Sequence, residues 1–172
     1  EALSGLLSIG LTEYPIFGGF TCNNYRSYDI AKSAWREADL YSYVAETIAS
    51  LAPKIVVTHG LDETSGAHRV AAECVLAAVQ QSESVQKLYC FGETEGATPT
   101  VVGMDTQLNA FDGKTAAQLA QSAYDLHTSQ AVYGMEIDTA SAYTLAYTTV
   151  GEDEKKDDLL EQVEVTDQQV VF

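Results

Sequence analysis

The chain predicts an α/β domain: a Rossmann-like, mostly parallel sheet with helices on both faces. Three observations carry this expectation. Helical and strand patterns alternate along the chain, which is the order of βαβ units. Ile55-Val56-Val57 is a continuous β-branched run, as in strands covered on both faces. The residues after it, from His59 to His68, form a polar, glycine-containing turn that leads into a helix-like apolar pattern.

The elements follow in order. Ala2 to Leu7 reads as the end of a helix, and Tyr14 to Phe17 as a short strand punctuated by Gly18-Gly19. Residues 21–28 are a polar and aromatic loop. Leu40, Val44, Ile48 and Leu51 make one apolar stripe, so Arg36 to Leu51 is a helix that Pro53 ends. Lys54 to Thr58 is a buried strand. The next helix runs from Gly66 to Gln80, with Ser65 as N-cap, Asp62 and Glu63 suited to its positive end, and Val70, Cys74 and Ala77 as its inner face.

Lys87 to Phe91 is a further strand, and Val101-Val102 a short one among glycines. Lys114 to Thr128 is a third helix on the stripe Ala116, Leu119, Ala123 and Leu126. Ala140 to Val150, rich in Tyr and Thr, is the final strand. Gly151 to Asp158 is a solvated charge run, and Val163 to Phe172 a strand or an ordered tail. Residues 1–150 thus form the α/β domain, and 151–172 an acidic turn and C-terminal strand or tail of the same domain. The pattern opens on a helix end, so a first strand-loop-helix unit is expected to be missing.

Composition narrows the function. The 172 residues carry 9 Lys plus Arg against 25 Asp plus Glu, a net charge of −16. Phosphates would be repelled, so nucleic acid and anionic membrane surfaces are not expected partners. No apolar run approaches the roughly 20 residues of a bilayer span. Glu1 is not an initiator Met and no signal peptide is evident, so it reads as a processing point or the start of an expressed piece. The acidity and the few lysines fit a secreted or surface protein. Cys22, Cys74 and Cys90 lack CxxC spacing, which argues against a zinc knuckle or a dense disulfide framework. Cys74, among Ala and Val, reads as a buried free thiol.

Four segments share an order with a known family. Residues 56–73 pass from a strand ending in Thr58-His59 through a Gly-containing loop to His68. Lys87-Leu88-Tyr89 follows as the next strand. Residues 123–130 end a helix on His127-Thr128-Ser129-Gln130, and Tyr14 to Gly19 is a strand with a glycine turn. Over roughly residues 1–130 the chain resembles the PIG-L/LmbE-like N-acetylglucosaminyl deacetylases. The resemblance implies zinc as cofactor, with His68 as a metal ligand. It also implies hydrolysis of the N-acetyl group of a glucosamine-containing glycan or glycoconjugate. His127 and Asp62 are the candidate substrate-binding residues.

The chain departs from the family in its chemistry-bearing start. The family's His-Pro-Asp-Asp segment, which supplies two metal ligands and the general base, is absent. His59-Gly60-Leu61-Asp62 has its spacing but not its Pro or first Asp, and lies in the second motif. Only the second His of the family's His-x-x-His is present, as His68. A hydrolytic zinc needs about three protein ligands and an open position. With one assigned, this chain alone is expected to bind zinc weakly and to be inactive, its catalytic residues unassigned. His59 reads as a hydrogen-bonding strand-end residue. Asp62 and Glu63 could add oxygen ligands.

Three accounts stay open. The metal-binding segment is supplied by a separate N-terminal fragment; the chain is a non-catalytic carbohydrate-binding or protein-interaction module derived from the family; or it is an unrelated acidic α/β module. If an opening strand is missing, the exposed sheet edge would be covered by that fragment or by a second copy of the chain.

Overall fold

A computed structural model describes residues 1–21 and 26–164. Along the chain run α1 (Ala2–Ser8), α2 (Tyr28–Ala34), α3 (Glu37–Leu51), β1 (Ile55–Thr58), α4 (Gly66–Val79), β2 (Lys87–Phe91), β3 (Thr100–Gly103), α5 (Ala116–Asp125), α6 (Thr128–Ala131) and β4 (Ala140–Thr148). They fall into two compact units. The first comprises Glu1–Phe17 and Val102–Ser141; the second comprises Gly18–Val101 and the chain from Ala142 onward.

The protein is α/β, with one open mixed sheet of strand order β1-β2-β4-β3. β1 and β2 are parallel, with Ile55 opposite Lys87 and Thr58 opposite Cys90, and α4 makes the crossover between them. β4 lies antiparallel to β2, with a register shift between Leu88 and Tyr89. The expected mostly parallel sheet is therefore corrected to a mixed one. An antiparallel neighbour needs no helical crossover, so strand-helix alternation does not reveal it.

Apolar residues in the second unit collect on one side of the sheet. Ile48 of α3, Ala78 and Val79 of α4, Val85 just before β2 and Leu88 of β2 form one buried cluster, with Val56 and Tyr147 against it. Ala31, Leu40, Ala67, Val70 and Cys74 form another, joining α2, α3 and α4. The stripe of α3 is as its spacing implies for Leu40 and Ile48, while Leu51 at its end is exposed. On α4 the inner face continues from Val70 and Cys74 to Ala78, and Ala77 is exposed instead. In the first unit α1 packs on α5. A Cβ on Gly5 would come within 2.9 Å of the Ala123 carbonyl oxygen, so only glycine permits this approach.

Other expectations are corrected. Tyr14 to Phe17 forms no strand, and Tyr14, Ile16 and Phe17 are exposed. α2 replaces part of the expected loop, started by Ser27, whose side chain accepts from Ile30 N–H. β1 is not covered on both faces, since Val57 is 49% exposed. The run 151–158 is not wholly solvated, because Asp153 is buried. The helix expected to reach Thr128 stops at Asp125, capped by Leu126, so His127 lies in a break between α5 and α6 rather than inside a helix. The expected strand or tail at Val163 to Phe172 lies outside the described residues from 165 onward, as does Cys22. Cys74 and Cys90 are buried free thiols, and burial pushes both above the ordinary thiol range.

Candidate metal centre

The site is built where β1 gives way to α4. Thr58 ends the strand, and His59 follows at the C-terminal edge of the parallel pair. The chain then turns tightly. Gly60 is buried and its N–H donates to Glu63 Oε1 at 3.3 Å, which folds the Glu63 side chain back toward the strand end.

α4 starts at Gly66 for a steric reason. The Gly66 N–H donates to the Arg26 carbonyl at 2.8 Å. A Cβ at Gly66 would collide with the backbone of Ser27 and Tyr28. The start of α2 thus presses against the start of α4. Ser65 caps the helix by accepting from the His68 N–H at 3.5 Å. These contacts place His68 in the first turn, beside the end of β1.

Three side chains converge there. His68 Nδ1 lies 2.5 Å from Glu63 Oε2. His59 Nδ1 lies 3.6 Å from Glu63 Oε1. The two imidazoles stack, with centroids 3.8 Å apart and planes inclined by 6°. One ligand atom from each of the three residues lies within 4.8 Å of the others. It is the one such group of three His, Cys, Asp or Glu residues found among the described residues.

Electrostatics suit the group to a cation. Burial, and then the neighbouring His68 ring, push the His59 pKa below the ordinary histidine value. A ring kept neutral offers its lone pair to a metal. Burial pushes the Glu63 carboxyl upward. The bonds from His68 and from the Gly60 N–H outweigh it, and Glu63 ends below its ordinary value. Two imidazoles and one carboxylate form a His₂Glu donor set, which zinc accepts and other first-row divalent ions also accept. The donor set and its spacing therefore fit a divalent metal without selecting zinc.

The structure brings His68, the ligand named from sequence, together with Glu63, which sequence allows as an oxygen ligand, and with His59, which sequence reads as a hydrogen-bonding strand-end residue. The missed signal is the spacing itself. Positions 59, 63 and 68 straddle a strand end, a turn and a first helical turn, where side chains far apart in a helix or strand can meet. Asp62 is exposed, and Glu63 rather than Asp62 bonds His68. His127 belongs to the first unit, where its Nδ1 lies 3.3 Å from Glu1 Oε2 and 3.4 Å from Ser129 Oγ.

Compared with known protein families and with curated proteins, the chain matches none.

Proposed function

We propose that this chain carries part of a metal-dependent hydrolytic site of the PIG-L/LmbE deacetylase kind, acting on the N-acetyl group of a glucosamine-containing glycan or glycoconjugate. The observation that carries the reading is the convergence of His59, Glu63 and His68 at the C-terminal edge of two parallel strands. That edge is where open α/β sheets bind ligands.

His59 and His68 would hold a divalent ion through imidazole nitrogens, which bind a metal in their deprotonated form. Glu63 is ionised at neutral pH. It would complete the ligand set, or accept a proton from a water held beside the ion. A bound divalent ion supplies Lewis acidity toward an acyl oxygen and toward water. The net charge of −16 favours neutral or cationic substrates over anionic ones.

One observation favours a second reading, a non-catalytic interaction module. In the first unit Leu7, Leu11, Tyr14, Ile16 and Phe17 are exposed together along a short stretch, as on a surface that meets a partner. One experiment separates the two. The purified chain is titrated with zinc by calorimetry, and binding of an N-acetylglucosamine oligosaccharide is measured with and without zinc. Zinc binding lost in His68→Ala, with oligosaccharide binding that requires zinc, supports the hydrolytic site. Zinc binding without oligosaccharide binding supports the module. Absence of zinc binding removes the metal centre.

A further inference from the structure

The buried polar cluster on β2 lies apart from the metal centre, in the same unit. Lys87 is fully buried, and its Nζ donates to Asp153 Oδ1 and to the Glu161 carbonyl oxygen. Tyr89 OH donates to Asp153 Oδ2 at 2.6 Å, and Thr100 Oγ1 donates to the same oxygen at 2.8 Å. Both Asp153 oxygens are thus engaged. Leu88, between Lys87 and Tyr89, belongs to the apolar cluster under α3 and α4. Side chains alternate along a strand, so Lys87 and Tyr89 point to the opposite face of the sheet. Residues 152–162 lie over that face.

We propose that the Lys87–Asp153 pair is a latch, and that residues 151–162 are a strap which this latch holds closed over the sheet. The strap's remaining ties to the rest of the unit are hydrogen bonds. Leu160 is exposed and Leu159 only half-buried, so apolar burial contributes little. Many of its hydrogen bonds are internal. The Glu161 carboxylate accepts from the backbone of Glu154 and Lys155, Leu160 N–H donates to Asp158, and the Gln162 side-chain amide donates to the Glu152 carbonyl. These bonds preserve the strap's own shape whether or not it touches the sheet. Its ties outward, besides the latch, include Tyr89 OH to the Leu159 carbonyl at 3.3 Å, Thr148 Oγ1 to the Gly151 carbonyl at 2.8 Å, Val101 N–H to the Lys156 carbonyl at 2.8 Å and the Lys156 ammonium to the Thr98 carbonyl at 3.1 Å.

A buried charge left without its partner must reach water. Lys87 sits within a paired strand and cannot move. Asp153 sits on an exposed loop and can. Loss of the pair is therefore relieved by lifting the strap as one piece. That would also open the cavity of about 350 Å³ lined by Thr100, Thr144, Glu152, Asp153 and Lys156.

Hydrogen exchange measured by mass spectrometry on the full chain tests this, with tryptic cleavage after Lys155 and Lys156 as a second readout. In Asp153→Asn, amides of residues 152–162 should exchange at least tenfold faster and the two lysines should become cleavable, while α4 and β2 keep their protection. Unchanged protection of the strap would overturn the latch. If Asp153→Asn fails to fold, Thr100→Ala and Tyr89→Phe decide, since each removes one hydrogen bond from Asp153. Faster exchange confined to the strap supports the proposal. Faster exchange spread equally over α4 and β2, or none anywhere, overturns it.

Discussion

His59 and His68, from the end of a strand and the first turn of a helix, lie ring on ring with centroids 3.8 Å apart. Glu63 reaches both, at 3.6 and 2.5 Å. Burial holds His59 below the ordinary histidine value, and the repulsion two imidazolium ions this close would feel, from His68, lowers it further.

The first prediction concerns these three residues. His59→Ala, Glu63→Gln and His68→Ala should each weaken zinc binding by about tenfold or more, because each removes one of three donors. Calorimetric titration at constant pH checks this. If Asp62→Asn weakened binding as much as Glu63→Gln, the donor assignment would be wrong.

Gly66→Ala should destabilise the protein although alanine is the better helix former. The added methyl would collide with the backbone of Ser27 and Tyr28, which cannot rotate away as a side chain can. Overpacking of this kind costs about 1–3 kcal/mol. Urea denaturation measures the loss. A neutral or stabilising substitution would show that α2 does not press on the start of α4.

Thr115→Ala should cost about 1 kcal/mol. Thr115 accepts from the Gln118 N–H at 3.2 Å, and the Gln118 side chain accepts from the Thr115 N–H at 3.0 Å, so the change breaks a reciprocal capping box at the start of α5. The loss should appear as reduced protection of the first turn of α5. Thr115→Ser, which keeps the hydroxyl, should restore most of it.

Glu1 should titrate well below an ordinary glutamate. Its carboxylate accepts from Ser129 Oγ and Thr128 Oγ1, both at 2.6 Å, and from the Ser129 N–H at 3.2 Å. The Ser129 hydroxyl, then that of Thr128, bring its pKa from 4.5 to about 2. A depressed carboxylate holds its contacts above the ordinary pKa and loses them as pH falls through the folded value. The start of α6 should thus stay anchored at pH 4 and loosen near pH 2. The Glu1 side-chain carbon shift in an NMR pH titration reports the midpoint. A midpoint near 4.5 would remove the anchor.

Most elements were legible in sequence, and the reasons for the failures are specific. The stripe Leu40, Val44, Ile48 and the run Ile55-Val56-Val57 marked α3 and β1, because periodicity reflects burial against one partner. α2 was hidden by its aromatic surroundings, although Ser27 followed by Asp29 is a usable start signal. Tyr14 to Phe17 has strand-like residues but gains no ladder among the described ones. Asp153 looked like one more solvated charge, since nothing near it in sequence reveals Lys87.

His68 at a strand-to-helix junction could be read from the chain, because the cap, the turn and the apolar pattern are local. Which of Asp62 and Glu63 meets it could not. That depends on the Gly60 turn, which bends Glu63 toward the imidazoles. The direction of β4 and the burial of Lys87 likewise depend on strands far apart in sequence. Sequence alone determined α3, α4, α5, β1, β2 and β4 and the place of one histidine, through short-range sterics and periodicity. Only the tertiary structure decided the mixed sheet, the three-residue cluster and the fastened strap, because each rests on contacts between segments whose pairing no local pattern encodes.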